Sequence, residues 1–232
     1  MQVKQFRYAT DNFSYLIFGD RSALVIDGGA VDEILGFIRD RSLQLETITN
    51  THGHPDHTAG NKSLRDRSGA LLMDHRTLAE NKPIQMEGAR IQVFHTPGHT
   101  ADSVCFLLDD LLITGDTLFN GTIGNCFSGD HEAFLRSIKK LMSFPVKTRV
   151  YAGHDYVRDA LKFARYLEPD NRHIDLFLEN YHPDHVYSTL GQELDMNPYL
   201  RFNEKNLVLF LENRGLPVGT EYQRWESLMS IE

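Results

Sequence analysis

Three histidines and an aspartate fall within six residues in the stretch Thr51-His52-Gly53-His54-Pro55-Asp56-His57. Neutral imidazole nitrogens and an anionic carboxylate are the donor set that suits zinc, iron or manganese, so this density points to metal chemistry rather than to a merely polar loop. His52 and His54, two apart, can point the same way from an extended turn. Asp56 and His57 are adjacent and cannot easily share that direction. The spacing therefore predicts two neighbouring metals.

A site for two metals needs further donors and elements to aim them. Residues 45–50 (LETITN) read as a β-branched strand, and residues 58–60 lead into a helix-like segment, so the histidine cluster sits on a strand-to-helix turn. His99 lies in a Pro-Gly turn, Thr96-Pro97-Gly98-His99-Thr100, after strand-like residues 91–94. Asp116 stands at the exit of the apolar run 111–114 (LLIT), and His154 follows the strand-like residues 150–152. A single His or Asp at a strand end is more often a cap or turn residue. Repetition of one arrangement, a strand ending in a donor, is how α/β folds gather a site at one sheet edge.

His-x-His-x-Asp-His followed in order by Gly98-His99, Gly115-Asp116-Thr117 and Gly153-His154 resembles the metallo-β-lactamase superfamily. The resemblance implies an α/β fold, an αββα sandwich of two mixed sheets with helices on both outer faces. It also implies two divalent metal ions, one held by His52, His54 and His99, the other by Asp56, His57 and His154. Asp116 would bridge them, with a water or hydroxide as the second bridge. All seven positions are filled, as expected of a catalytic member.

The rest of the chain is consistent with such an enzyme. Its 232 residues, 41% hydrophobic, suffice for one large domain or a domain plus appendage. A net charge of −8 gives no electrostatic footprint for nucleic acid. Residues 1–10 hold no apolar signal segment and no run is long enough to span a bilayer, so a soluble, cytoplasmic protein without a membrane partner is expected. Cys105 and Cys126 offer neither a disulfide framework nor a thiolate zinc site. Nothing in the pattern bears on oligomeric state.

Residues 12–19 and 22–27 read as a hairpin around Gly19-Asp20, and Val31, Ile34, Leu35 and Ile38 as a one-faced helix. Phe134, Ile138, Leu141 and Met142 form another stripe behind a possible N-cap, Asp130. Asp27, in Asp27-Gly28-Gly29, is either a plain turn residue or the orienting partner of a ligand histidine. His75, His95, His131 and His173 read as solvated or capping residues, and His182-Pro183-Asp184-His185 as a poor candidate for another metal site.

Beyond residue 156 the pattern becomes helical, which divides the chain into a catalytic domain, 1–156, and an α-helical substrate-side extension, 157–232. Gly153-His154-Asp155-Tyr156, Glu168-Pro169-Asp170-Asn171, Ser188-Thr189-Leu190-Gly191-Gln192-Glu193 and Asn197-Pro198-Tyr199-Leu200-Arg201 resemble the corresponding region of glyoxalase II, the hydroxyacylglutathione hydrolases. Asp116-Thr117-Leu118-Phe119 is similar to that family's bridging-aspartate segment. The resemblance implies hydrolysis of S-D-lactoylglutathione or a related small acyl-thiol, with Asp116 and Asp56 as catalytic groups and Tyr156 as a substrate contact. Where the family carries a basic residue and then an aromatic to hold glutathione, this chain has Asn125 and Phe127, and its last residues lack the family's basic pair. The thiol carrier is therefore open among glutathione, coenzyme A and bacillithiol. The runner-up is a persulfide dioxygenase, which shares the fold but uses a single iron, here on His52, His99 and Asp116.

Overall fold

The computed structural model describes residues 1–78, 80 and 82–231. Two mixed sheets form its centre. The first runs in the order β1 (Gln2–Tyr8), β2 (Asn12–Phe18), β3 (Ser22–Ile26), β4 (Gln44–Thr49), β5 (Leu71–Leu72), with the pairs up to β3 antiparallel and the last two parallel. The second holds β6 (Ile84–Met86), β7 (Ala89–His95), β8 (Val104–Leu108), β9 (Leu111–Gly115), β10 (Arg149–Ala152) and β11 (Ser188–Thr189), hydrogen-bonded in chain order. Only β9 and β10 are parallel in it.

Alternation along the strands builds the layers. Phe13, Tyr15 and Ile17 of β2 point inward against Phe106 and Leu108 of β8 and Ile113 of β9. Leu16 and Phe18 point the other way, onto Ile34 and Ile38 of α1 (Val31–Asp40). A short α2 (Pro55–Thr58) and then α3 (Asn61–Ser68) follow the histidine cluster. Cys105 and Leu112 face outward beneath α4 (His131–Met142), whose cap is indeed Asp130, accepting from Ala133 N at 2.8 Å. The expected αββα sandwich is thus present, and so is the hairpin at Gly19-Asp20, closed by Gly19 N to Ser22 O at 3.0 Å.

The tail contains α5 (Val157–Leu167), α6 (Arg172–Asn180), α7 (Leu190–Met196), α8 (Lys205–Glu212) and α9 (Glu221–Met229). It is not all helical, because β11 returns to pair with β10. Nor does it stand apart: Val157, Leu161 and Phe177 join the core between the sheets, while Leu190, Tyr199 and Trp225 join the core under α4. Among the described residues no helix is long and apolar enough to cross a membrane.

Glu193 of α7 is wholly buried where the tail meets the loop after β9. Its carboxylate accepts from Gly121 N at 3.0 Å and Asn197 Nδ2 at 2.8 Å. Burial outweighs these bonds and pushes its pKa from 4.5 up to about 7. The folded state then keeps a proton that the unfolded chain has released. Stability is full below pH 4.5 and falls as pH rises to about 7, by on the order of 3 kcal/mol. Urea midpoints of Glu193→Gln and the parent are expected to diverge across that window, with the variant losing the slope. Parallel pH profiles would contradict this.

Candidate metal centre

Every donor comes from the end of a strand or the turn behind it. His52, His54, Asp56 and His57 follow β4, His99 follows β7, Asp116 follows β9 and His154 follows β10. The parallel pairing of β9 with β10 brings Asp116 beside His154, and Gly153 N donates to Gly115 O at 2.8 Å. No side chain fits at residue 153, because a Cβ there would lie 2.1 Å from Asp116 Oδ1. Pro55 opens α2, so Asp56 and His57 turn away from the extended His52–His54 pair.

The donor atoms fall into two groups, His52, His54, His99 and Asp116 in one and Asp56, His57 and His154 in the other. Within each, the atoms lie within 4.8 Å of one another. His54 Nδ1 is 3.0 Å from His52 Nε2 and 3.1 Å from His99 Nε2. His57 Nε2 is 3.2 Å from His154 Nε2. Asp116 lies between the groups, its Oδ2 3.4 Å from His99 Nε2 and 3.5 Å from His154 Nε2, its Oδ1 3.3 Å from His57 Nε2.

Hydrogen bonds on the far side of four rings fix which nitrogen faces inward. His57 Nδ1 lies 3.0 Å from Asp27 Oδ2, and His154 Nδ1 3.0 Å from Asp11 Oδ1. His99 Nδ1 donates to the Asn125 carbonyl at 2.9 Å. Thr51 Oγ1 gives its proton to Asp27 Oδ2 at 2.7 Å and so accepts from His52 Nδ1 at 3.1 Å. Four Nε2 lone pairs and His54 Nδ1 therefore converge with too few protons among them. Among the described residues Asp116 Oδ1 is buried without a hydrogen-bond partner. Converging lone pairs around an orphaned carboxylate oxygen fit divalent cations.

The electrostatics agree. Burial, then the neighbouring His57, presses His52 down to about 3, and burial also lowers His99, so both rings are neutral donors. Burial works against charge on His57 and His154 too, but Asp27 and Asp116 outweigh it at His57 and Asp116 does so at His154, raising both. Burial opposes ionisation of Asp116, yet His154 and His57 hold its carboxyl well below the usual range. A cation bound there would take the place of any proton on His57 or His154.

All seven donors predicted by spacing are thus gathered in one place. Tyr156 stacks on His154 at 4.9 Å between ring centroids, and Phe127, 67% exposed, lies edge-on to His54 and His99 at 5.6 and 5.2 Å. Asn125 is exposed beside them. Asp27 is the orienting partner of His57 rather than a plain turn residue. His75 is buried and pairs with Asp102 at 2.9 Å, contrary to the solvated role expected of it. Among the described residues His182 and His185 join neither donor group. Asp11, Asn12 and Thr51 border the site although no spacing signal ties them to it.

The profile of the metallo-beta-lactamase superfamily matches residues 7–83 and 82–154, and that of the hydroxyacylglutathione hydrolase C-terminus matches residues 155–226. The hydroxyacylglutathione hydrolase of Pelagibacter ubique is 32% identical over 87% of this chain and 93% of its own length. That of Albidiferax ferrireducens is 34% identical over 90% of this chain and 89% of its own. Among solved structures, ETHE1 from Myxococcus xanthus superposes with a TM-score of 0.70 at 24% identity, over 98% of this chain and 100% of that one, and shares the fold. With its own donors, both domain profiles and these relatives in agreement, the chain belongs to the metallo-beta-lactamase superfamily, in the branch that carries a hydroxyacylglutathione hydrolase C-terminal domain.

Proposed function

We propose that this chain is a metal-dependent hydrolase of hydroxyacyl thioesters, with S-D-lactoylglutathione or a related acyl-thiol as substrate. The observation that carries the reading is the convergence of two donor groups on Asp116, beside a C-terminal region of the kind found in hydroxyacylglutathione hydrolases. In this reading His52, His54 and His99 hold one divalent cation, Asp56, His57 and His154 hold another, and Asp116 serves both. Zinc is the preferred occupant, and iron or manganese also suits the donors. Bound cations supply a Lewis acid for the thioester carbonyl and acidify a water to a nucleophile near neutral pH.

The chain's own residues do the rest. Asp56, its side chain 46% exposed, reaches the cleft and accepts a hydrogen bond from the attacking water, which aims it at the carbonyl. Burial pushes the Tyr156 hydroxyl up to about 12, so it keeps its proton and donates to the substrate. Phe127 offers an apolar surface beside His54 and His99, with the uncharged Asn125 next to it. Residues 1–156 supply the donors, and residues 157–232 wall the substrate side. The two unpaired cysteines suit a cytoplasmic setting. The one-iron dioxygenase reading would use only His52, His99 and Asp116, and the match of residues 155–226 to the hydroxyacylglutathione hydrolase C-terminus favours the hydrolase over it.

Incubating metal-loaded protein with S-D-lactoylglutathione, and separately with an acyl-coenzyme A, tests the proposal through loss of thioester absorbance. Cleavage of either supports a thioester hydrolase; inertness toward both, together with consumption of a persulfide, would overturn it. Asn125→Lys restores a cation beside the cleft. It is expected to lower KM for the glutathione thioester by about 2–5-fold, the worth of an exposed ion pair, with kcat unchanged. An unaltered KM would show that the cleft is shaped for a different carrier.

A further inference from the structure

The turn between β1 and β2 lies outside every donor motif, yet three of its side chains reach the second donor group. The Tyr8 hydroxyl donates to the Asp56 carbonyl at 2.8 Å. Asn12 Nδ2 lies 2.9 Å from Asp56 Oδ2 and 3.3 Å from His154 Nε2. Asp11 Oδ1 is 3.0 Å from His154 Nδ1. Backbone contacts lock the turn in place: Asn12 bridges to His154, Phe13 N donates to Gly153 O at 2.8 Å, and Asp155 N to Asp11 O at 2.9 Å. The Tyr8 ring is seated over Gly29, where a Cβ would lie 2.1 Å away.

Each contact has a distinct effect. Asp11 takes the Nδ1 proton of His154 and turns its Nε2 lone pair toward the site. Asn12 is 5% exposed and faces the Asp56 carboxylate, which only accepts when ionised, so its amide nitrogen must be the atom pointing at it. Without it, the half-exposed Asp56 carboxylate loses the donor that keeps it turned inward. Tyr8 fixes the main chain of the same residue. Among the described residues no side chain of this turn hydrogen-bonds to His52, His54, His99 or Asp116. His52 and His99 are oriented instead by Thr51 and the Asn125 carbonyl, and His57 by Asp27.

We infer that the β1–β2 turn, through Asn12 above all, is a positioning device for the cation at Asp56, His57 and His154 and not for the other, whereas Asp27 backs both groups through His57 and Thr51. The inference rests on the two-cation reading above. Cobalt(II) titration of the metal-stripped chain tests it, followed by visible absorbance and by metal retained after gel filtration. The parent is expected to bind two equivalents. Asn12→Ala is expected to bind the first with the parent's affinity and spectrum, and the second roughly 10–100-fold more weakly. Asn12→Leu keeps bulk but has no donor, and is expected to reproduce that loss, which separates the hydrogen bond from packing. Tyr8→Phe is expected to shift the second equivalent less, in the same direction, and thermal melting of the stripped proteins monitors the fold. Equal weakening of both equivalents, or an unchanged second one in Asn12→Leu, would overturn the inference. A parent that saturates at one equivalent would instead overturn the two-cation reading and the inference with it.

Discussion

Asp116→Ala is expected to lower kcat/KM for thioester hydrolysis by at least about 10³-fold, more than about 4 kcal/mol of transition-state stabilisation. It is also expected to leave the protein with less than its full metal content. Among the described residues Asp116 is the one carboxylate within 3.5 Å of donor nitrogens from both groups, and it is 7% exposed. Its removal strips anionic charge from two positions at once, where loss of a single histidine weakens one. Asp116→Asn keeps the shape and loses the charge, so it is expected to be nearly as inactive. Retention of full activity and metal in either variant, measured by steady-state kinetics and elemental analysis, would contradict the role given to this residue.

The second large effect lies far from the metal donors. Trp225 of α9 is wholly buried, with ring contacts at 5.6 to 6.0 Å to Phe202, Phe134 and Tyr199. The same core contains Leu118 and Ile123, from the loop that follows Asp116. Trp225→Ala is expected to cost about 3–5 kcal/mol by leaving a large cavity. Among the described residues the indole Nε1 is buried without a partner, so Trp225→Phe, which leaves a smaller cavity and loses no hydrogen bond, is expected to cost clearly less. Urea unfolding measures both. Equal costs for the two variants would mean that the volume left empty does not set the loss, and a small cost for alanine would mean that the tail packs more loosely than this core implies.

Most of the donor set is legible in the sequence because the donors follow apolar strands and all but His57 stand beside a turn-forming glycine or proline. Thr96-Pro97-Gly98-His99 and Gly115-Asp116 announce both the end of a strand and the group it delivers. The division into two donor groups is legible as well, since adjacent Asp56 and His57 cannot point where His52 and His54 do. The orienting residues are harder. Asp11 and Asn12 meet His154 only because β2 runs antiparallel beside β3 and its first residues reach the end of β10, a fact of strand order rather than of local pattern. Strand β11 is two residues long, too short to carry alternation. Helix α9 did leave a signal, the capping box of Thr220 and Gln223, with Trp225 and Leu228 three apart behind it.

The buried Glu193 links these levels. It holds the Gly121 amide in the loop beyond Asp116 from within the tail, so one titrating group ties the helical extension to that loop. Trp225 packs in the same core as Leu118 and Ile123, so the tail reaches that loop by packing as well as through Glu193.

Stepwise zinc reconstitution of stripped protein, with turnover of S-D-lactoylglutathione followed at each addition, tests the central claim most directly. The account predicts no hydrolysis without metal and activity that keeps rising until the second equivalent is bound, then lost to a chelator. Thioester hydrolysis by the stripped chain, or a protein complete with one iron that consumes persulfide and leaves thioesters intact, would contradict it.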